Sequence, residues 1–342
     1  MKKLLSMIIL SLLALAVTAC SGGATATKPN SLQKNGKNDA FKLVFYPNES
    51  AQEFEKSREA LKEIVAKATG KKVEVVTTTD YNVVIETIAN GQANMAVMGA
   101  EGYIQAHKKN PKVQPIVTNS GPSGTLEDAL YYSFIAVPED KKIEYQQADK
   151  YTLEPIKGKN FSFVSNSSTS GFKVPSSVII DEFGLDNSDE LIMENKFFNK
   201  VLFGGSHQGS AVNLLKGDVD AAAFMNMPEY FEVASGEENQ TGMVYKVRET
   251  AGAPFESVRG KKVRVIKSIP VLNAPIVVNE DVVSQDEKAK ILAAFTSDET
   301  SQNKAIFNKK DGDNPALFGK EKDEQFVEVE DAFYEPIRQM SE

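Results

Sequence analysis

Short segments with the composition of a strand alternate along the chain with segments whose apolar residues recur at the period of a helix. After residue 40, the segment FKLVFY predicts a strand, and the segment up to Gly70 places its apolar side chains on one helical face. KKVEVVTTT predicts the next strand, Asp80 is placed to cap a helix that runs to Gly91, and ANMAVMG predicts a third strand. This order of strands and helices predicts a parallel sheet covered by helices.

The second half of the chain repeats this order. NFSFVS (160–165) predicts a strand, GFKVPSSVIIDEFG a helix that ends at Gly184, and KVLFGG a further strand. SHQGSAVNLLKG predicts a helix that ends at Gly217, and DVDAAAFMN the strand after it. We therefore predict an α/β protein of two similar lobes, each a mostly parallel sheet flanked by helices.

Two β-rich segments, YYSFIAVP (131–138) and the segment 264–279, are predicted to join the lobes. If the chain leaves the first lobe by one and returns by the other, residues 41–134 and 275–342 form the first lobe and residues 135–274 the second. Two crossings make a hinge, and a ligand is expected in the cleft between the lobes.

The N-terminus has the pattern of an export signal. Lys2 and Lys3 precede an apolar run that is short for a spanning helix and ends in Val-Thr-Ala-Cys. This ending resembles a bacterial lipobox, so residues 1–19 are predicted to be a lipoprotein signal peptide and Cys20 the lipidated residue. The alternative is an ordinary secretory signal followed by a stray thiol. Residues 20–40 are polar and predict a flexible tether.

The amino-acid composition excludes some classes of function and disfavours others. The 342 residues include 47 acidic and 39 basic ones and no Trp, so a basic surface for nucleic acid is not expected. Two His, one Cys and the lack of HExxH, GxSxG and P-loop motifs leave few groups for catalysis. We expect a protein that is not an enzyme and has neither metal nor cofactor. An exported phosphoester hydrolase with Ser168 or Ser170 as nucleophile is the competing class.

Polar residues lie at three predicted strand-to-helix junctions, which are Thr79-Asp80-Tyr81, Ser168-Thr169-Ser170-Gly171 and Gly205-Ser206-His207. Helix starts present unpaired backbone N–H groups and a partial positive charge, so they favour anions. Donors about 3 Å from a ligand in a closed cleft are screened little, whereas surface charges are screened over about 8 Å. An anionic ligand is therefore compatible with the acidic chain.

At these three junctions and in the segments around them, the chain resembles the substrate-binding proteins of phosphate, phosphite and phosphonate ABC transporters. These proteins are a branch of the type II periplasmic-binding-protein fold. The resemblance rests on YPNES, TTDYNVVIETIANGQANMAVMGAEGY, IKGKNFSFVSNSSTSGFKVP, FGGSHQGSAVNLLKGDVDAAA and IPVLNAPIVV. It implies that Ser168, Thr169, Ser170 and His207 bind the oxygens of the ligand and that Tyr81 closes from the other lobe. The alternative role of the three hydroxyl residues is simple helix capping.

Further pocket positions follow from the same resemblance, and they are Tyr46, Met98, Asn226, Met227 and Asn273. Relatives that take aminoalkylphosphonates have carboxylates near the last three. Because a buried ammonium group without a carboxylate is costly, a neutral or apolar substituent on phosphorus is expected.

The expected function is capture of a phosphonate-, phosphite- or phosphate-type oxyanion by a lipid-anchored monomer, which delivers it to ABC permease subunits. The protein would lie at the outer face of the cytoplasmic membrane, or face the periplasm if the host has two membranes. The alternatives are binding of another ligand on the same fold and a role as a surface receptor or adhesin.

Overall fold

The structure is a computed structural model that describes residues 40–48, 54–309 and 316–341. The predicted signal peptide, Cys20 and all but the last residue of the predicted tether lie outside the described residues. Within the described ranges, no helix combines the length and the apolar character needed to cross a membrane.

Strands and helices alternate along the described chain, and we number them in chain order. The strands are β1 (Phe41–Phe45), β2 (Val73–Thr77), β3 (Met95–Val97), β4 (Val113–Asn119), β5 (Leu130–Pro138), β6 (Gln146–Gln147), β7 (Lys150–Tyr151), β8 (Asn160–Phe163), β9 (Lys200–Phe203), β10 (Ala221–Met225), β11 (Phe231–Ser235), β12 (Val244–Val247), β13 (Lys262–Leu272), β14 (Pro275–Asn279), β15 (Phe307–Asn308), β16 (Phe318–Gly319) and β17 (Phe326–Glu328). The helices are α1 (Glu55–Thr69), α2 (Tyr81–Ala89), α3 (Ala100–Lys109), α4 (Val174–Phe183), α5 (Asp189–Ile192), α6 (His207–Lys216), α7 (Gln285–Phe295), α8 (Asp298–Ser301) and α9 (Glu335–Arg338). A π-helical turn, Thr169–Lys173, leads directly into α4.

The larger strands form two sheets. The first has the order β17-β4-β14-β3-β1-β2, and the second has the order β11-β12-β13-β5-β10-β8-β9. β1 pairs in parallel with β2 and β3, and β8 pairs in parallel with β9 and β10. These parallel groups are the strand-helix repeats that the sequence predicts.

The sheets are mixed rather than mostly parallel, and this part of the prediction is wrong. β14 runs antiparallel to both β3 and β4, and β17 runs antiparallel to β4. In the second sheet, β5 pairs antiparallel with β10 and β13, and β11, β12 and β13 also pair antiparallel. In the run β11-β12-β13, consecutive strands reverse direction because no crossover helix joins them. β14, β17 and β5 instead pair antiparallel with strands that are distant in the chain.

Several helix boundaries follow their predicted signals. Gly70 ends α1 with φ of +67°, a conformation that glycine adopts without steric cost. The Asp80 carboxylate accepts the Asn82 N–H at 2.7 Å and caps α2. α4 and α6 end at Gly184 and Gly217, as the sequence predicts.

The two predicted crossing segments pair with each other. β5 and the whole of β13 lie side by side in the second sheet, and the chain reaches the first sheet again at β14. The predicted lobe boundary between residues 134 and 135 therefore falls inside β5. The lobe boundaries remain a prediction.

One buried apolar cluster joins residues that flank both sheets. Tyr46 and Met98, which follow β1 and β3, pack in the same cluster as Val164 and Val174, which follow β8. The end of the chain makes another link, because the Lys173 ammonium group donates to the Met340 carbonyl at 3.1 Å. The ends of β1, β3 and β8 are thus brought into contact.

Candidate functional site

The π-helical turn after β8 presents the predicted hydroxyl residues. Ser168 caps the turn, since its Oγ accepts the Gly171 N–H at 3.1 Å. Ser168, Thr169 and Ser170 are each 2% exposed. A Cβ at Gly171 would lie 2.2 Å from Val164 Cγ2, so only glycine fits beneath the turn. Capping and burial therefore occur together at this segment.

A second helix start lies beside this turn. The N–H groups of Gly204 and Gly205, after β9, donate to the carbonyls of Phe163 and Val164 at 2.8 and 2.9 Å. Ser206 then caps α6, with its Oγ accepting the Gly209 N–H at 3.0 Å. Because β8 and β9 are parallel neighbours, both helix starts lie at the same edge of the second sheet.

His207 is the first residue of α6 and is buried. Its Nδ1 accepts the Met225 N–H at 3.2 Å, so the ring hydrogen lies on Nε2. Burial lowers the pKa of His207 to about 3, which keeps the imidazole neutral at physiological pH. The side chain offers one N–H donor and no charge.

Ser170 and His207 are connected through two strands. The Ser133 hydroxyl on β5 donates to the Ser170 carbonyl at 2.6 Å. Ser133 is paired with Met225 in the β5–β10 ladder, and the Met225 N–H donates to His207 Nδ1. The structure thus brings the predicted serine-threonine turn and the predicted histidine to one place.

Tyr46 and Tyr81 lie together on the side of the first sheet. Their ring centroids are 4.5 Å apart, and both residues are nearly fully buried. Tyr81 donates its hydroxyl to Asn48 Oδ1 at 2.5 Å, whereas Tyr46 Oη is buried without a hydrogen-bond partner among the described residues. Burial, followed by Tyr81 and Glu101, raises the pKa of Tyr46 well above its ordinary value, so its hydroxyl stays protonated.

Thr169 bridges the two sides. Its Oγ1 accepts the Glu101 N–H of α3 at 2.9 Å, in a buried contact. Nearby, the Ser167 hydroxyl donates to Asn82 Oδ1 at 2.8 Å. Sequence reasoning missed Ser167, Asn82 and the start of α3. The glycines of the GAEGY segment were the available signal, because glycine permits close approach.

The candidate pocket residues occupy different surroundings. Met98 lies in the cluster that holds Tyr46, and Met227 is buried in a separate core of the second sheet. Asn273 is held by structural bonds, since its Nδ2 donates to the Asn119 carbonyl and its own carbonyl accepts from Tyr334. Met227 thus lies in a different core from the cluster around Tyr46, and Asn273 makes these hydrogen bonds to residues outside the serine-threonine turn.

Asn226 lines a different part of the surface. It contributes to a cavity of about 480 Å³ whose walls also include Glu238, Tyr245 and Arg248 but not the π-helical turn. Asn226 Nδ2 donates to Glu238 Oε1 at 3.2 Å, while Asn226 Oδ1 and Tyr245 Oη are buried without partners among the described residues. In the same ranges, no cluster of three or more His, Cys, Asp or Glu side chains is arranged to hold a metal ion.

Two mixed sheets, each with strand-helix repeats whose helix starts face a shared contact region, define a periplasmic-binding-protein fold. The chain belongs to the family described as ABC transporter, phosphonate, periplasmic substrate-binding protein, whose model matches residues 43–334. The resemblance inferred from the sequence is thereby confirmed, and with it the α/β fold class.

Individual relatives are consistent with this family. The phosphate-import protein PhnD of Mycolicibacterium smegmatis is 29% identical over 245 residues, which are 71% of this chain and 72% of that protein. A binding-protein component of an ABC phosphonate transporter from Pseudomonas aeruginosa superposes with a TM-score of 0.63 at 19% identity, covering 89% of this chain and 86% of that one. PhnD1 from Prochlorococcus marinus, solved with methylphosphonate, gives 0.60 at 16% identity, covering 88% and 96%. The two solved structures show a shared fold.

Proposed function

We propose that this protein captures a phosphonate-, phosphite- or phosphate-type oxyanion between its two sheets and passes it to an ABC permease. The family membership, which is established over residues 43–334, supports the role in import. The proposed ligand contacts are Ser168, Thr169, Ser170 and His207 on the second sheet and Tyr81 on the first. No step of catalysis is assigned to these groups.

The observation that carries the proposal is the pair of neighbouring helix starts at the ends of β8 and β9. Each is capped by a serine hydroxyl, and the second adds the neutral His207 with a hydrogen on Nε2. Neutral N–H and O–H donors at helix starts stabilise an anion without an ion pair. Such a site suits reversible capture and release.

Hinge closure is the proposed mechanism. The oxygens of the ligand dock first on the π-helical turn, and the first sheet then closes over it with Tyr81. The contact between Thr169 and Glu101 supports this motion, because it joins the two sides directly in the described state. Opening then requires the loss of this hydrogen bond.

Attachment to the membrane is part of the proposal and rests on the sequence. Residues 1–19 act as a signal peptide, and Cys20 carries the acyl chains that hold a monomer at the outer face of the cytoplasmic membrane. Replacement of Cys20 by Ala should release the protein from the membrane fraction. Retention of Cys20→Ala protein in washed membranes would contradict lipid anchoring.

Binding is tested by thermal unfolding of the detergent-purified full chain with phosphate, phosphite, methylphosphonate, aminoethylphosphonate and sulfate. A ligand at about one hundred times its Kd adds about 2.7 kcal/mol, which raises the Tm by several degrees. The Ser168→Ala, His207→Gln double variant should lose this shift. If no oxyanion raises the Tm, or if the double variant keeps the full shift, the proposal fails. Release of inorganic phosphate from a phosphoester would instead indicate a hydrolase.

A further inference from the structure

The start of α3 combines two features that the proposed contacts do not use. The first amides of a helix have no partner within the helix and carry a partial positive charge. α3 is a ten-residue helix that begins at Ala100, with no side-chain cap on its first turn. Its Glu101 N–H is instead directed across the contact region to Thr169 Oγ1.

Tyr46 supplies the second, independent feature. It is 3% exposed, and its hydroxyl has no hydrogen-bond partner among the described residues. The hydroxyl is directed at the first turn of α3, because a Cβ at Gly102 would lie only 1.5 Å from Tyr46 Oη. An enclosed hydroxyl without a partner is destabilising, so its burial in this position requires an explanation.

The contact made by Thr169 indicates which kind of group binds at the start of α3. A neutral hydroxyl oxygen accepts from the helix start, in the way that an oxygen of an anion would. Thr169 is itself a proposed ligand contact. In this structure the π-helical turn of the second sheet is therefore hydrogen-bonded to the first sheet. Gly99 makes this approach possible, since a Cβ there would lie 2.8 Å from Thr169 Oγ1.

We propose that the first turn of α3 and Tyr46 Oη form the first-sheet half of the oxyanion site, in which an oxygen of the ligand replaces Thr169 Oγ1. This assignment rests on the proposed function and names Tyr46 as a ligand donor. When the two sides separate, the Glu101 N–H loses Thr169, and both this N–H and the Tyr46 O–H become available to the ligand. Closure on the ligand then gives Tyr46 the acceptor that it lacks.

Tyr46 suits this role better than Tyr81 does. The Tyr81 hydroxyl already donates to Asn48, so its hydrogen is in use in the described state. The Tyr46 hydroxyl keeps its hydrogen and has no acceptor among the described residues. Burial, followed by Tyr81 and then by Glu101, raises the pKa of Tyr46. Tyr46 therefore stays protonated and remains a hydrogen-bond donor.

The test compares Tyr46→Phe with Tyr245→Phe in the detergent-purified full chain. Tyr245 is a matched control, because it is also buried with a hydroxyl that lacks a partner among the described residues, yet it lines the separate cavity. Calorimetry measures the Kd for inorganic phosphate and for methylphosphonate, and thermal unfolding without ligand measures stability.

We expect Tyr46→Phe to weaken binding of the oxyanion by about tenfold to a hundredfold, as for a lost hydrogen bond to a charged group, without lowering the ligand-free Tm. Tyr245→Phe should leave the Kd within about twofold. A wild-type Kd in Tyr46→Phe, or an equal loss in both variants, overturns the assignment. If Tyr46→Phe binds the oxyanion normally and the Ser168→Ala, His207→Gln double variant does not, the inference fails and the proposed function stands.

Discussion

Ser133 Oγ donates a hydrogen bond to the carbonyl of Ser170 across 2.6 Å, and both residues are buried. Ser133 also lies opposite Met225 in the β5–β10 ladder, and Met225 donates to His207 Nδ1. One strand residue thus fixes the relative position of the two helix starts in the second sheet. β5 therefore contributes to the site, although it supplies no proposed ligand contact.

Replacement of Ser133 by Ala should destabilise the protein and weaken oxyanion binding. The variant leaves the Ser170 carbonyl without this donor, at a cost of about 1–2 kcal/mol in the free energy of unfolding. Urea unfolding measures this cost. Ser176→Ala is the control, since Ser176 Oγ is buried without a partner among the described residues, and its removal should not destabilise. Equal stability of the two variants would contradict the role of Ser133.

His207 should make stability fall as the pH decreases from about 6.5. The folded pKa is about 3, below the value near 6.5 of an unfolded chain, so the unfolded state binds more protons in between. The expected contribution to the slope is at most about 1.4 kcal/mol per pH unit. Urea unfolding from pH 4.5 to 7.5 should show a shallower slope for His207→Gln. Parallel curves for the two proteins would contradict the burial of a neutral imidazole.

Gly171→Ala should damage the π-helical turn. Its Cβ would lie 2.2 Å from Val164 Cγ2 and 2.8 Å from Ser168 Oγ, so the turn must shift at a cost of about 1–3 kcal/mol. Thermal unfolding and phosphate binding should both be impaired. Gly252→Ala is the control, because a Cβ there meets nothing within 4 Å. Normal phosphate binding by Gly171→Ala would show that the cap of Ser168 is dispensable.

The ion pair between Glu139 and Arg264 should stabilise the junction of β5 and β13. Arg264 donates Nε and Nη2 to the two carboxylate oxygens, each at 2.7 Å. Burial raises the pKa of Glu139, but Arg264 and Lys142 outweigh it and the pKa is lowered. The stabilisation is therefore present at neutral pH and is lost as the pH falls below about 4.5.

Glu139→Gln should lower the free energy of unfolding by about 1–2 kcal/mol at pH 7, with a smaller difference from wild type at pH 4. Chemical unfolding at the two pH values measures both effects. Glu299→Gln provides the comparison, because the Lys67–Glu299 pair is about three-quarters exposed and should contribute nothing measurable. If the difference in unfolding free energy between Glu139→Gln and the wild type grows towards pH 4, the predicted direction of the pH dependence is wrong.

Local signals in the sequence predicted the elements and much of the candidate site. Asp80 caps α2 as predicted, and Ser168 caps as the alternative role given for it implied, because a capping hydroxyl or carboxylate acts within three residues of itself. The cap made by Ser206 was not predicted. The neighbouring positions of Ser168 and His207 also followed, since both come after predicted strands whose carboxyl ends share one edge of a sheet. Periodicity and capping are local properties, and they are readable in one chain.

Contacts between distant segments were not predictable in this way. The antiparallel course of β14, between β3 and β4, and of β17, at the edge of the sheet, depends on how the returning chain enters the first sheet, and no residue pattern in those strands specifies it. The bond between Thr169 and Glu101 joins residues 68 positions apart, and it depends on how the two sides pack. For the same reason, the sequence alone did not separate the surroundings of Tyr46 from those of Asn226.

Gly204 and Gly209 restrict which sequences can carry this site. A Cβ on Gly204 would lie 2.2 Å from the Ser210 nitrogen, and one on Gly209 would lie 2.0 Å from the Gly204 oxygen. Each glycine is blocked by backbone, so a change at one position cannot be rescued by a smaller side chain at the other. A library that randomises both codons should return glycine at both among stable variants, and natural divergence at this helix start should be confined to its neighbours.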